Sequence, residues 1–298
     1  MIGALPARFR RSRVLVVGCG DVGQRALPTL RRGAQVMALV RSEASAAACR
    51  ARGVRPLRGD LADGHSLHRL AGVATEVIYL APPVQAVADG SHDQGMRHWI
   101  QAMRRRSGPS RVVYVSTSGV YGDRAGAWVD ERDLPQPRTL RAQRRVDAER
   151  QLRAAWPATV VLRAPGIYAL DRADGGPRRR LEAGAPVLCP EEDVYTNHIH
   201  ADDLARACHL ARRQRARGLT FNVNDDSQWT VGEYWAVAAA ALGYPPPPQV
   251  TWAQAQAQLS PMVLSFWSES RRLRNARMKR VLGLQLRYPT AQEGLAQA

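Results

Sequence analysis

Lysine is nearly missing from this 298-residue chain: Lys279 stands alone, and the rest of the 43 basic side chains are arginine. Acidic residues are also few, 26 in all, which leaves a formal charge of +17. Such an excess suits a polyanionic partner. The arginines, however, are scattered over both ends of the sequence and form no basic stripe interleaved with aromatics. In a chain this rich in Arg and Ala the balance reflects codon bias as much as a partner, and nucleic acid is not the partner expected. Cysteine is sparse as well. Cys19, Cys49, Cys189 and Cys208 lie far apart with no C-x-x-C pair, which argues against a disulfide framework or a zinc site and for a reduced cytosolic protein. No apolar run approaches the ~18 residues of a membrane span. Arg8, Arg10, Arg11 and Arg13 ahead of Val14-Leu-Val-Val-Gly-Cys19 imitate a lipoprotein signal. Their apolar stretch ends at Val17, well short of the ~7–15 residues of a signal core, so a buried strand fits better. No internal repeat is visible. With 45% hydrophobic and 23% charged residues the composition is that of a globular protein, and the length allows one large domain or two small ones. The expectation is a soluble, cytoplasmic protein.

What is present is a rhythm. Near-continuous apolar runs rich in Val, Ile and Leu fall at Arg13–Val17, Gln35–Val40, Val54–Leu57, Glu76–Leu80, Arg111–Ser116 and Thr159–Arg163. Strands buried on both faces read this way. Helical patterns separate them, as at Val22–Arg32, His92–Arg105 and Thr139–Trp156. Strand, helix, strand in this order argues for an α/β fold with a doubly wound parallel sheet. From about Gly166 the rhythm is interrupted by Asp174-Gly-Gly-Pro177, the Pro245–Pro248 run, read as a rigid turn, and a Gln-Ala tract at Ala253–Gln258. One more strand, Thr220–Val223, is expected to return to the sheet. The division that follows is a dinucleotide-binding domain over 1–165, with 196–228 returning to it, and a smaller C-terminal substrate lobe over 166–195 and 229–298.

Directly after the first strand comes Gly18-Cys-Gly20-Asp21-Val22-Gly23. Following a strand and opening a helix, this G-x-G-x-x-G has the context of a Rossmann dinucleotide loop. Gly18 permits the tight turn, Gly20 lets backbone approach a pyrophosphate, and Gly23 lets the helix pack close to the sheet. The amides and dipole of the helix start then face the phosphates. After the second strand, where a carboxylate would bind the ribose hydroxyls of NAD, stand Arg41 and Ser42. A guanidinium and a hydroxyl can bind a 2′-phosphate, so NADP is favoured, with NAD the alternative. Arg41 is also one of many arginines. Asp60, followed by Leu61, can accept from an adenine amino group or cap the helix that follows. Leu80 and Ala81, at the end of the fourth strand, complete the expected cofactor wall.

The fifth strand runs into Tyr114-Val-Ser116-Thr117-Ser118-Gly-Val-Tyr121-Gly. This resembles the S-S/T-x-x-V-Y-G segment of the extended short-chain dehydrogenase/reductase superfamily, the epimerase and dehydratase group. The resemblance continues in order through Trp128-Val-Asp-Glu131, Leu162-Arg-Ala-Pro-Gly166-Ile-Tyr168, Asn197-His-Ile-His200-Ala-Asp202-Asp203-Leu204 and Phe221-Asn-Val-Asn224. It covers nearly the whole chain and is nearest to a divergent bacterial NAD(P)-binding branch. It implies the Rossmann fold, a nicotinamide cofactor and a Ser/Thr that orients the substrate, which falls on Thr117 between Ser116 and Ser118. It also implies a Tyr general acid/base with a Lys four residues later.

Here the sequence departs from the family. Aligned on Glu149, the tyrosine slot holds Arg141 and the lysine slot Arg145, and no Y-x-x-x-K exists anywhere in the chain. Arg145 can still bind ribose hydroxyls, but a guanidinium stays protonated and cannot exchange the proton. Arg141 is read as binding an anionic substrate group or stabilising an alkoxide. Tyr121, Tyr168, Tyr195 and His198 remain as proton donors, with Tyr121 also readable as a packed aromatic. His198 and His200 are spaced as a metal pair could be, but no metal site is expected. The expected activity is that of an NAD(P)-dependent oxidoreductase or epimerase with a substituted site, acting on a nucleotide-sugar or carbonyl compound. The alternative is a non-catalytic NADP(H)-binding sensor. The resemblance also suggests a homodimer through the helices at His92–Arg105 and Thr139–Arg153.

Overall fold

The computed structural model describes residues 11–84, 90–172, 176–214 and 218–296. Arg8, Arg10, Asp174 and Gly175, singled out above, lie outside them. The first part of the chain alternates β1 (Ser12–Val17), α1 (Asp21–Arg31), β2 (Ala34–Val40), α2 (Glu43–Ala51), β3 (Arg55–Arg58), β4 (Glu76–Tyr79), α3 (Gln94–Met103) and β5 (Arg111–Thr117). Then follow β6 (Trp128–Val129), α4 (Leu140–Ala155), β7 (Val160–Ala164), β8 (Gly166–Tyr168), α5 (Arg178–Glu182), β9 (Val187–Leu188), β10 (His198–His200), α6 (Ala201–Arg213) and β11 (Thr220–Asn222). The last elements are α7 (Val231–Leu242), β12 (Gln249–Val250), α8 (Trp252–Gln258), α9 (Pro261–Trp267), β13 (Arg272–Leu273) and α10 (Ala291–Leu295).

Seven strands form one parallel sheet in the order β11-β7-β5-β4-β1-β2-β3. β1 is hydrogen-bonded to β2 on one side and β4 on the other. With both edges paired and both faces covered, its Val14–Val17 run is fully buried, which is why it reads as unbroken apolar sequence. The strand order reverses between β1 and β4, and ligands of open α/β sheets bind beyond the strand ends at such a switch point.

By contacts the chain forms two compact units. One comprises Met1–Val115, Asp147–Val161 and Cys208–Leu219; the other comprises Ser116–Val146, Leu162–Ala207 and Thr220–Ala298. These boundaries differ from those read in the sequence chiefly in placing 116–146 with the later residues. The core of the first unit gathers Leu15, Val17, Leu39, Tyr79, Trp99, Tyr114 and Leu152. Tyr79 meets Trp99 edge-on, with ring centroids 5.3 Å apart.

The second unit holds helices and loops. It also contains three two-stranded parallel ladders, β8 with β10, β9 with β12, and β6 with β13. At two or three residues each, such strands show no alternation for a sequence to display. The Gln-Ala tract, read as an interruption of the rhythm, forms α8. Thr251 accepts from the Gln254 amide, and the Gln254 side chain accepts from the Thr251 amide, so a capping box starts the helix. The Asn197 side chain fixes β13, accepting from Leu273 N at 2.9 Å and donating to the Arg271 carbonyl at 3.0 Å.

Candidate functional site

In the first unit, the turn from β1 into α1 is built on backbone proximity. Gly18 has φ +85°, and a Cβ there would lie 2.5 Å from Ala81 N and 2.7 Å from Ala81 Cα. No side chain fits. The Leu80 and Ala81 amides both donate to the Val17 carbonyl, at 2.7 and 3.1 Å, which fastens the end of β4 to the turn. A Cβ on Gly23 would stand 3.1 Å from the Gly18 carbonyl and 3.3 Å from Leu80 Cδ1, so this glycine sets the close approach of helix and sheet. Gly20 is different: nothing lies within 4 Å of where its Cβ would be. Its backbone is extended, and no side chain caps α1. The first-turn amides of a helix have no intrahelical partners, so Asp21, Val22 and Gly23 present donors beside an open approach. Asp21 is held by Arg25 at 3.0 Å, which offsets a carboxylate at a helix start suited to anions. A nicotinamide dinucleotide therefore fits the residues present. Beside Gly20, burial pushes the Cys19 thiol up to about 12, and the neighbouring Cys49 adds to the effect.

Arg41 and Ser42 are exposed after β2. Ser42 is the N-cap of α2, accepting from Ser45 N at 3.1 Å. The residue after it, Glu43, was not singled out in the sequence, although it is the first acid after β2. Its carboxylate is held by Arg50 at 2.7 Å and Arg58 at 3.1 Å. Arg50 above all keeps the Glu43 carboxyl below the usual range. Asp60 Oδ1 accepts from Ala62 N at 2.9 Å in a local turn, and the carbonyl of Leu61 meets His98 Nδ1 at 3.0 Å.

In the second unit, Thr117 ends β5 and caps the 3-10 turn Ser118–Tyr121, its Oγ1 accepting from Gly119 N at 3.2 Å. Ser116 and Ser118 are buried, and the Ser116 hydroxyl has no partner among the described residues. A Cβ on Gly119 would meet both Thr117 Oγ1, at 3.5 Å, and Ala142 Cβ, at 3.8 Å. The Thr117 hydroxyl and the first turn of α4 are thus neighbours. Arg141 and Arg145 lie one turn apart on α4, and the Arg141 guanidinium is 4.4 Å above the Phe266 ring.

The aromatic proton-donor candidates are committed elsewhere. Tyr121 is fully buried, donates to Asn222 Oδ1 at 2.7 Å and lies under the Arg163 guanidinium. Tyr168 donates to the Thr290 carbonyl at 3.2 Å, and burial raises its pKa. His198 stacks on Tyr234 at 3.7 Å, and burial pushes its pKa down to about 3. His200 packs on Tyr288, and Tyr195 lies under Arg272. Among the described residues no group of three His, Cys, Asp or Glu could hold a metal ion. Phe266, Glu269 and Arg271 went unnoticed in the sequence. Nothing in this run marks it out in the sequence, and only the tertiary fold brings Phe266 to Arg141.

A family profile described as NAD(P)H-binding matches residues 18–209. The chain belongs to this NAD(P)H-binding family. Its fold is that of the epimerase/dehydratase-like, extended short-chain dehydrogenase proteins. A conserved protein of unknown function from Silicibacter pomeroyi is 29% identical, with a TM-score of 0.78 over 96% of this chain and 97% of the other. A structure from Methylobacillus flagellatus assigned to the NAD-dependent epimerase/dehydratases is 25% identical, with a TM-score of 0.73 over 97% of each chain. The UDP-glucose 4-epimerase of Thermotoga maritima, solved with UDP-glucose, shares the fold at 18% identity, with a TM-score of 0.77 over 95% of this chain and 96% of that one. Methionine adenosyltransferase 2 subunit beta of Danio rerio is 25% identical over 158 residues, 50% of this chain and 48% of that protein. The chain thus spans about half the length of that curated relative. Among the described residues no helix is long and apolar enough to cross a membrane.

Proposed function

We propose that this family member is an NADP-dependent oxidoreductase or epimerase acting on a small hydroxyl- or carbonyl-bearing molecule of the nucleotide-sugar kind. The observation that carries the reading is the open approach at Gly20 beside the closed turn at Gly18. Gly18, Gly20, Asp21, Val22 and Gly23 would cradle the pyrophosphate, against Leu80 and Ala81. Asp60 and Leu61 would border the adenine. Preference for NADP is supported by exposed Arg41 and Ser42, next to a Glu43 carboxylate already held by Arg50 and Arg58. Once bound, a nicotinamide dinucleotide supplies hydride acceptance or donation. Thr117 would orient the substrate oxygen by a hydrogen bond. Arg141 would stabilise negative charge developing on that oxygen, since a guanidinium donates and does not titrate. Arg145 would bind ribose hydroxyls. We keep the domain division at 1–165 with 196–228, and 166–195 with 229–298, as part of this proposal.

The test is thermal. Binding to the folded state raises stability by RT ln(1 + [L]/Kd), so NADPH should raise the melting temperature more than NADH does. Gly20→Val should stay folded, because its side chain meets open space, and should lose that shift. Equal shifts with the two cofactors would remove the NADP assignment. A Gly20→Val protein that keeps its full shift would remove the loop as the site. A strong NADPH shift without turnover on carbonyl and nucleotide-sugar substrates would move the reading to a dinucleotide sensor. The packing of Tyr121 and Tyr168 away from open approach is the feature that suits the sensor.

A further inference from the structure

Helix α9 carries two apolar faces, and the fold uses one of them. Val263, Leu264 and Trp267 pack into the core around Val187 and Val231. Met262 and Phe266, four residues apart and so on one side of the helix, stay 66% and 58% exposed. Over the Phe266 ring stands the Arg141 guanidinium, 4.4 Å from the ring centroid. Arg141 is itself exposed, and it makes no hydrogen bond or ion pair among the described residues. This patch is tied to the Thr117 turn from two sides. On one side, Thr117 and Ala142 meet over Gly119. On the other, the chain leaving α9 is fastened just past that turn. Ser270 N donates to Asp123 Oδ1, Arg124 N to the Ser270 carbonyl and Arg271 Nη1 to the Gly122 carbonyl, each at 2.9 Å. All of these residues belong to the second unit.

The chemistry of these side chains limits what suits them together. A guanidinium only donates hydrogen bonds, so its uncommitted N–H groups suit an anion. A carboxylate is planar and takes two parallel N–H bonds from one guanidinium. An exposed ion pair alone contributes little, because water already serves both charges. The apolar neighbours change that. Phe266 offers a ring face and Met262 a soft thioether, and both pack well against an aromatic group. A ring lying over them also shields the ion pair from water and strengthens it. A phosphate dianion holds its water more tightly and would bring that water onto the apolar side chains. An uncharged ligand would leave the guanidinium without its counter-charge.

We propose that Arg141, Phe266 and Met262 form a receptor for an aryl carboxylate arm of the substrate. This rests on the functional reading above for the substrate's place beside Thr117. Two of the guanidinium N–H groups serve the carboxylate, and the others stay available to the oxygen that Thr117 orients. NMR titration of the full chain with 3-phenylpropionate, 3-phenylpropionamide, propionate and phenyl phosphate tests it. The phenyl acid should bind roughly tenfold tighter than its amide, which keeps the ring, and than propionate, which keeps the charge. Arg141→Gln should bring the acid down to the level of the amide and leave the amide unchanged. Phe266→Ala should weaken the acid about threefold and leave propionate unchanged. Both changes are at exposed side chains, so both variants should melt with the parent protein. Four results would each overturn the receptor. They are an amide or propionate that binds as tightly as the acid, an advantage of the acid that survives either variant, tighter binding of phenyl phosphate, and no binding of the acid at all. In all four, an NADPH melting shift that persists leaves the dinucleotide reading standing, and its loss removes that reading instead.

Discussion

Single residues decide the most here, and they differ in how they can be tested. Gly18 combines a positive φ with a Cβ direction that ends at backbone. Gly18→Ala is therefore expected to cost more than about 2 kcal/mol in chemical unfolding and to weaken NADPH, because the left-handed backbone and the clash add. Tyr121→Phe should cost about 1–3 kcal/mol, since it leaves the buried Asn222 amide oxygen without its donor. The NADPH melting shift should be untouched. Two buried groups shape the pH profile in opposite directions. His198 has its pKa depressed to about 3, so the folded state favours the neutral ring. Its contribution is complete above its ordinary value near 6.5 and is lost as pH falls from there toward 3. Burial raises the Asp225 pKa, with Asp226 and Asp203 adding to it. That contribution is complete below 3.8 and is lost as pH rises through the raised value. His198→Phe should remove the fall in stability between pH 6.5 and about 3, and Asp225→Asn the fall that sets in as pH rises above 3.8; unchanged curves would refute both assignments.

At the scale of elements, the parallel sheet was legible because burial on both faces forces unbroken apolar runs, as in β1 and β5. The glycine turn was legible because Gly18 and Gly23 each sit where close approach leaves no room for a side chain, while the approach at Gly20 is open. The ladders β6–β13 and β9–β12 were not, being too short for any period. Nor was the stacking of Arg141 on Phe266, whose partners lie more than a hundred residues apart in the chain. The β2–α2 junction shows both sides of this. Arg41 and Ser42 were read directly, but whether Glu43 opposes a 2′-phosphate depends on Arg50 two turns along the same face of α2 and on Arg58 at the end of β3. Since α2 starts at a capping serine, the junction is fixed in place, and a charge swap there should act on specificity alone. Arg41→Asp is expected to reverse the order of the NADPH and NADH melting shifts while leaving the melting temperature of the free protein within a degree or two. A retained order would mean that Arg41 does not meet the cofactor.

For the molecule as a whole, a charge of +17 is a property of solubility and encounter, not of fold. It is expected to show as weak, salt-labile adhesion to nucleic acid. Duplex binding should vanish between 50 and 200 mM salt without sequence preference, as measured by fluorescence anisotropy. Tight, sequence-selective binding at 200 mM salt would overturn that expectation. The exposed positions of α3 are Gln94, Arg97 and Gln101, and the exposed Arg104 follows as its C-cap. A dimer paired through this helix would bring like charges together, so its fraction in sedimentation should rise with salt.

The fastening of the glycine turn to the end of β4 has a consequence in time. Two amides on the Val17 carbonyl and the close approach of Gly18 to Ala81 hold that turn against the end of β4. The pyrophosphate then meets a surface already in its final form, with no ordering step ahead of capture. In stopped-flow mixing, NADPH should associate in a single phase whose rate climbs linearly with concentration and shows no plateau, the signature of a site that waits rather than one that forms.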